Sequence, residues 1–288
     1  MKSQQKNDHT TLLTQPACLH PHQMLGTIIS RISIWLISRQ ITARHTYTGH
    51  VSAYRHHVEG AIIEALNTER ISVYWGVWES GKSRAARNVA LRFQEVGRLA
   101  ILLDGFKNSD CSTMHEWLRW GIGVSEVEEN VSKYFAQPTS IIIDHFDYLM
   151  DKYEDLMPAL SKLDTGVVLI VSSWERAVDL RDRGCRMVGS SAGVGRWNEG
   201  ELRSLFASLP EAIQEKWTDE DEKNELLRLS ALAGSPGFLT FSVYGNQCGN
   251  QAQVLDAEWR KGIAALEGTG DDSDAERLPE KDGAFHWD

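Results

Sequence analysis

Eight consecutive residues, Gly76-Val77-Trp78-Glu79-Ser80-Gly81-Lys82-Ser83, match the pattern G-x-x-x-x-G-K-[ST] at every fixed position. Each fixed type has its own chemical reason. Gly76 and Gly81 allow backbone angles and close approaches that a Cβ would block. Backbone N–H groups of Val77, Trp78, Glu79 and Ser80, with the positive end of a following helix, form a cradle for an anion. Lys82 adds a point charge for phosphate oxygens, the Ser83 hydroxyl is a ligand for Mg²⁺, and Arg84 continues the binding segment. A chance match in a Gly/Ser turn is the plain alternative. It is disfavoured by context, because Ile71–Gly76 reads as a buried strand and Lys82–Val96 as a helix.

A second motif lies downstream. Ile141-Ile142-Ile143-Asp144 is an apolar strand ending in an acid, the Walker B pattern. In an open α/β sheet such a strand carries its terminal carboxylate to the edge where ligands sit. Asp144 would then hold Mg²⁺ together with Ser83, directly or through water.

These motifs, the later Leu169–Ser173 strand end and the Gly234-Ser235-Pro236-Gly237 stretch together resemble an AAA+-type P-loop ATPase. The nearest flavour is the STAND, archaeal-ATPase and origin-recognition-like branch, over about residues 52–245. The resemblance implies ATP as ligand with Mg²⁺, and a helical lid moving against an α/β core. It further implies Ser172 or Ser173 as a polar sensor of the γ-phosphate, with Ser173 the choice. Arg183, at the end of a helix, would be the residue reaching a neighbouring subunit's nucleotide. A solvated helix face with i,i+4 pairing competes with that role for Arg176, Arg181, Arg183 and Arg186. The family usually carries Asp-Glu where this chain has Asp144-His145, so hydrolysis rests on His145, on Asp147 or on neither. Partners implied are the nucleotide, further copies of the chain, and a protein or nucleic-acid target.

Parallel strands must position these groups. Uninterrupted β-branched runs at Ile71–Gly76, Arg98–Leu103, Ser140–Ile143 and Gly166–Val171 alternate with helical patterns at Ser52–Asn67, Lys82–Val96, His115–Tyr134 and Tyr148–Leu163. That alternation predicts an α/β fold with a parallel sheet flanked by helices. After it come only helical patterns, at Asn198–Leu209, Glu211–Ala233, Phe238–Tyr244 and Ala252–Leu266. The expected organisation is an N-terminal extension over 1–50, an α/β core over 51–197, a small helical lid over 198–266 and an acidic tail over 267–288.

Composition narrows the class. At 42% hydrophobic and 24% charged the chain has a globular balance, and a net charge of −10 argues against a protein that coats nucleic acid. Ten tryptophans recur at no fixed period, so they read as packing residues and not as a repeat signature. Four cysteines are too few and too scattered for a disulfide framework, which predicts an intracellular setting, cytoplasmic or nuclear. Residues 24–41 are apolar but carry Arg31 and Arg39, short of a span. They read as a packing segment, with a transit segment or membrane contact as lesser readings. Adjacent His56 and His57, with Glu59, point apart on a helix and read as a surface face, and Cys111 with His115 has helical spacing but no third or fourth ligand nearby. Two alternatives to an active ATPase stay open: a nucleotide-gated scaffold with little turnover, and a small-molecule kinase.

Overall fold

A computed structural model of the chain describes residues 55–68, 70–107, 110–123, 139–243 and 249–268. The N-terminal extension with its apolar 24–41 segment, the acidic tail beyond 268, and the second half of the helix expected over His115–Tyr134 lie outside the described residues. The elements run α1 (His56–Leu66), β1 (Ile71–Trp75), α2 (Lys82–Glu95), β2 (Leu99–Asp104), α3 (Met114–Ile122), β3 (Thr139–Asp144), α4 (Asp147–Met150), α5 (Leu156–Leu160), β4 (Val167–Val171), α6 (Trp174–Asp182) and β5 (Arg186–Met187). Helices α7 (Glu199–Ala207), α8 (Glu211–Gln214), α9 (Glu220–Ala233), α10 (Pro236–Val243) and α11 (Gly249–Glu267) complete them.

All five strands are parallel, in the order β2-β3-β4-β1-β5. Alternate strand residues therefore face two separate cores. Val73, Trp75, Ile141, Ile143 and Leu169 pack under α3, α6 and α11, whereas Tyr74, Ile142, Val168 and Ile170 pack under α1 and α2. A sheet covered on both faces needs apolar side chains at every position, which is why these strands read as unbroken runs. The fold is α/β, a parallel sheet flanked by helices.

Helix α2, which begins at Lys82, is clamped to α1 from behind. The carboxylate of Glu59, buried in α1, accepts from Asn88 Nδ2 at 2.8 Å and pairs with Arg92 Nη2 at 2.8 Å. A charged group with no solvent access persists only with such partners.

Two expected helices are broken. The Tyr148–Leu163 pattern divides into α4 and α5, because a continuous helix would bury Pro158 in its interior, without an N–H and against a preceding carbonyl. Breaking the helix puts Pro158 in the first turn of α5 and frees Asp155 Oδ1 to accept from Met114 N at 2.9 Å. Likewise Glu211–Ala233 divides into α8 and α9, since Asp219 caps α9 by accepting from Asp221 N and Glu222 N. Strand β5 was not legible at two residues.

Following the capping box of Asn198 and Glu201, helices α7, α9 and α10 enclose their own core of Leu202, Leu205, Phe206, Leu226, Leu227 and Leu239. Helix α11 leaves that group and returns to the sheet. Trp259 is fully buried, meets Trp75 edge-on with ring centroids 4.9 Å apart, and donates from Nε1 to Ala233 O at 3.1 Å. Trp259→Ala removes both contacts and should cost about 3–5 kcal/mol, read as a lower urea midpoint. A change under about 1 kcal/mol would mean that α11 is not integral to the core.

Candidate functional site

Because the sheet is parallel, β1, β2, β3 and β4 all end at one edge, and their last residues bring the candidate groups together. Gly76 follows β1, Asp104 ends β2 beside its register partner Asp144 of β3, and Ser172 follows β4. This is the edge at which open α/β sheets hold ligands.

The loop from Gly76 to Gly81 is closed around Lys82. The ammonium is buried and donates to Gly76 O and to Val77 O, both at 2.8 Å. Burial lowers its pKa to about 8, against the pull of Asp144 and Asp147, whose carboxylates lie close enough to favour the charged form. Gly81 caps α2 with a φ of +86° and offers no side-chain acceptor, and no acid stands in the first turn. Several other helix starts are different: Thr113, Ser173, Asn198 and Asp219 each accept from first-turn N–H groups. Helix α2 therefore starts with uncapped donors and its dipole directed at the loop, which suits an anion. Ser80 Oγ is buried with no partner among the described residues, 2.7 Å from where a Cβ on Gly76 would sit. Trp78 and Glu79 are exposed, and Glu79 has a φ of +57°; Ser83 and Arg84 are partly exposed on the first turn of α2.

On the β3 side, Asp144 is buried and Oδ1 accepts from His145 N at 2.9 Å. His145 has a φ of +53°, and its Nδ1 lies 3.0 Å from Asp104 Oδ1 and 3.9 Å from Asp144 Oδ2. The Asp147 carboxylate accepts from Ser172 N at 2.8 Å and Ser173 N at 3.2 Å. Ser173 Oγ in turn caps α6, accepting from Arg176 N and donating to Glu175. Arg183 ends α6, half-exposed and paired with Asp179 at 3.0 Å, while Arg176 pairs with Asp151, and Arg181 donates to Ala265 O and Leu266 O. Among the described residues no group of three or more His, Cys, Asp and Glu side chains is arranged to hold a metal ion.

Among residues 195–237, which run from the sheet into α10, several touch the loop directly. Glu79 O accepts from Gly237 N at 3.2 Å and Ser235 Oγ at 2.9 Å, and a Cβ on Gly237 would fall 2.2 Å from Glu79 Cβ. Ser80 O accepts from Trp197 Nε1 at 2.8 Å, and the Trp197 ring lies under the guanidinium of Arg55. Arg55 also bonds Gly195 O, Arg196 O and Glu201, joining the start of α1 to the chain leading into α7. Sequence reasoning missed Asp104 and Trp197. Asp104 had a signal, an acid ending an apolar strand like Asp144; Trp197 had none beyond its type.

No protein-family model and no curated protein matches the chain. Among solved structures it is similar to the ORC2 protein of Aeropyrum pernix, solved in ADPNP and ADP complexes, with 12% identity and a TM-score of 0.45. That match covers 78% of this chain and 71% of the other.

The buried amine makes a prediction for the protein by itself. Between about 8 and its ordinary 10.5, the folded state has released the Lys82 proton while the unfolded chain still holds it. Unfolding then takes up a proton, so this group's contribution to stability rises as pH increases through that window. Wild type should gain up to about 3 kcal/mol over Lys82→Met between pH 7 and pH 10.5, measured by urea denaturation at both values. Parallel pH curves for the two proteins would overturn it.

Proposed function

We propose that the chain binds a nucleoside triphosphate, ATP, with Mg²⁺ at the Gly76–Arg84 loop, and hydrolyses it. One observation carries this reading: a buried Lys82, flanked by Asp144 and Asp147, sits at the uncapped start of α2 beneath a glycine loop. An ammonium held against two backbone carbonyls is an inexpensive resting place that β- and γ-phosphate oxygens can replace. The donor set also suits Mg²⁺. A hydroxyl at Ser83 and a carboxylate at Asp144 are hard oxygen ligands, and this ion fills its remaining positions with phosphate and water. When bound, Mg²⁺ supplies charge neutralisation between phosphates. Lys82, the loop N–H groups and the first turn of α2 orient the phosphate chain, and Asp144 fixes the ion's side of the site.

The direct bonds from Ser235, Gly237 and Trp197 to the loop backbone support a coupling between nucleotide and the helices α7–α11, since a change at Glu79 or Ser80 alters those bonds. The expected division into core, lid and tails, the sensor role of Ser173, the finger role of Arg183, and assembly with further copies or a protein or nucleic-acid target belong to the same reading. Ser173 and Arg183 are both engaged within α6, so either role needs them to exchange partners.

A second reading, a nucleotide-gated scaffold with little turnover, is favoured by His145 standing where the resembling family has a glutamate. Binding and hydrolysis separate the two. Lys82→Ala should weaken Mg·ATP binding at least about 100-fold, since charge-assisted bonds to phosphate are lost. Asp144→Asn should retain Mg-free nucleotide binding and lose Mg²⁺-dependent turnover. Binding without turnover in wild type would favour the scaffold, and no binding by wild type would end both readings.

A further inference from the structure

Two adjacent peptide planes of the phosphate loop are held from outside it. Glu79 O accepts from Ser235 Oγ at 2.9 Å and from Gly237 N at 3.2 Å, and Ser80 O accepts from Trp197 Nε1 at 2.8 Å. The donors are themselves fixed. Ser235 is fully buried, and its Oγ also accepts from Phe238 N at 3.4 Å. Trp197 is buried, its N donates to Gly234 O at 3.2 Å, and its ring lies 4.6 Å from the Arg55 guanidinium. Glu79 and Gly81 have φ of +57° and +86°, a left-handed backbone that glycine adopts freely and glutamate rarely does. The Glu79 conformation is thus one that the loop sequence alone disfavours, and its carbonyl is the one with two outside donors.

In a planar trans peptide the C=O of one residue and the N–H of the next point in opposite directions. Carbonyls turned outward at 79 and 80 therefore turn the N–H groups of Ser80 and Gly81 the other way. The first of these has the partner this geometry requires: Ser80 N donates at 3.2 Å to Val77 O, which also accepts from Lys82 Nζ at 2.8 Å. Successive N–H groups beside left-handed residues form a concavity for anions. Ser80 Oγ, buried without a partner among the described residues, lies in the same stretch, where a Cβ on Gly76 would come within 2.7 Å of it. We propose that Trp197 and Ser235 are positioning residues for phosphate: with the Gly237 N–H, they hold two loop carbonyls outward and so keep the N–H groups of Ser80 and Gly81 turned toward the ligand. This inference rests on the nucleotide-binding reading given above. The loop is then set by residues 117 and 156 positions away, and whatever moves Trp197 or Ser235 off those carbonyls weakens the hold on phosphate. By the reciprocity of linked equilibria, phosphate tightens both bonds.

The test uses the full chain, with inorganic triphosphate free of Mg²⁺ as the probe and ATP beside it. Trp197→Phe keeps a ring for Arg55 and removes the indole N–H; Ser235→Ala removes the hydroxyl. Each should weaken triphosphate binding by about 10-fold, the size of one buried hydrogen bond left unmade, read by titration calorimetry. Leu205→Ala, in the core shared by α7, α9 and α10, lowers the urea midpoint without touching the loop and should leave that affinity within about 2-fold. Hydrogen exchange of the ligand-free protein gives a readout independent of any ligand. The Ser80 N–H should exchange at least about 10-fold faster in Trp197→Phe and Ser235→Ala than in wild type. Added triphosphate should slow exchange at the wild-type Trp197 indole N–H. Ser235→Ala carries the comparison alone if Trp197→Phe fails to fold.

Unchanged triphosphate affinity in either folded variant would overturn the proposal, as would an equal loss in Leu205→Ala, the mark of a merely structural role. If wild type binds neither triphosphate nor ATP, the nucleotide reading fails separately. The Ser80 exchange rate then decides whether Trp197 and Ser235 set the loop, and a rate unchanged from wild type in both variants ends that claim too.

Discussion

A buried ammonium is costly unless its surroundings supply what water supplied, and the arrangement of the sheet edge follows from that cost. Lys82 is satisfied by two carbonyls of its own loop and by the field of Asp144 and Asp147, which belong to the end of β3 and the start of α4. Those carboxylates are in place because β3 is parallel to β4, and β4 to β1, so all three strands deliver their last residues to the same side. Asp147 is then held by the N–H groups that begin α6, and α6 carries α11 through Arg181. Remove the requirement to house one amine, and the reason for this sequence of contacts weakens at each step.

Much of this was legible in the linear chain. Strands buried on both faces leave continuous runs such as Ile141–Ile143 and Val167–Val171, and a loop that binds phosphate needs glycine and lysine at fixed spacing, so both announce themselves locally. What escaped depends on partners far away. Asp104 gains its meaning from His145, forty-one positions on, and Trp197 from Ser80, 117 positions back. No window of local pattern holds both members of such a pair. Pro158 is a different case: its signal was present, but the apolar spacing around it spoke for one long helix, and steric exclusion won.

His145 shows how a local departure from pattern is absorbed. An imidazole after Asp144 is bulkier than a hydrogen-bonding turn residue needs to be, and its backbone is left-handed. The β2 turn answers with a residue lacking a side chain at 105, an acceptor at 104 and a ring at 106. Three consecutive residues at the end of β2 and in its turn thus fit around one residue.

Helix α11 has a mechanical consequence. Its C-terminal half is pinned: Trp259 is sunk against Trp75, Arg181 grips Ala265 O and Leu266 O, and Glu267 accepts from Ser191 Oγ and Ala192 N. Its earlier half carries Ala252 into a small apolar group with Ala233 of α9 and Phe238 of α10, beside the Gly237 N–H that donates to Glu79 O. One helix thus fastens the Ala233–Phe238 group to the sheet at Trp75. Asp256, paired with Arg196 and with Arg260 of the same helix, sits one turn before Trp259. The helix is thereby tied to the segment that holds Trp197 on the Gly76–Gly81 loop.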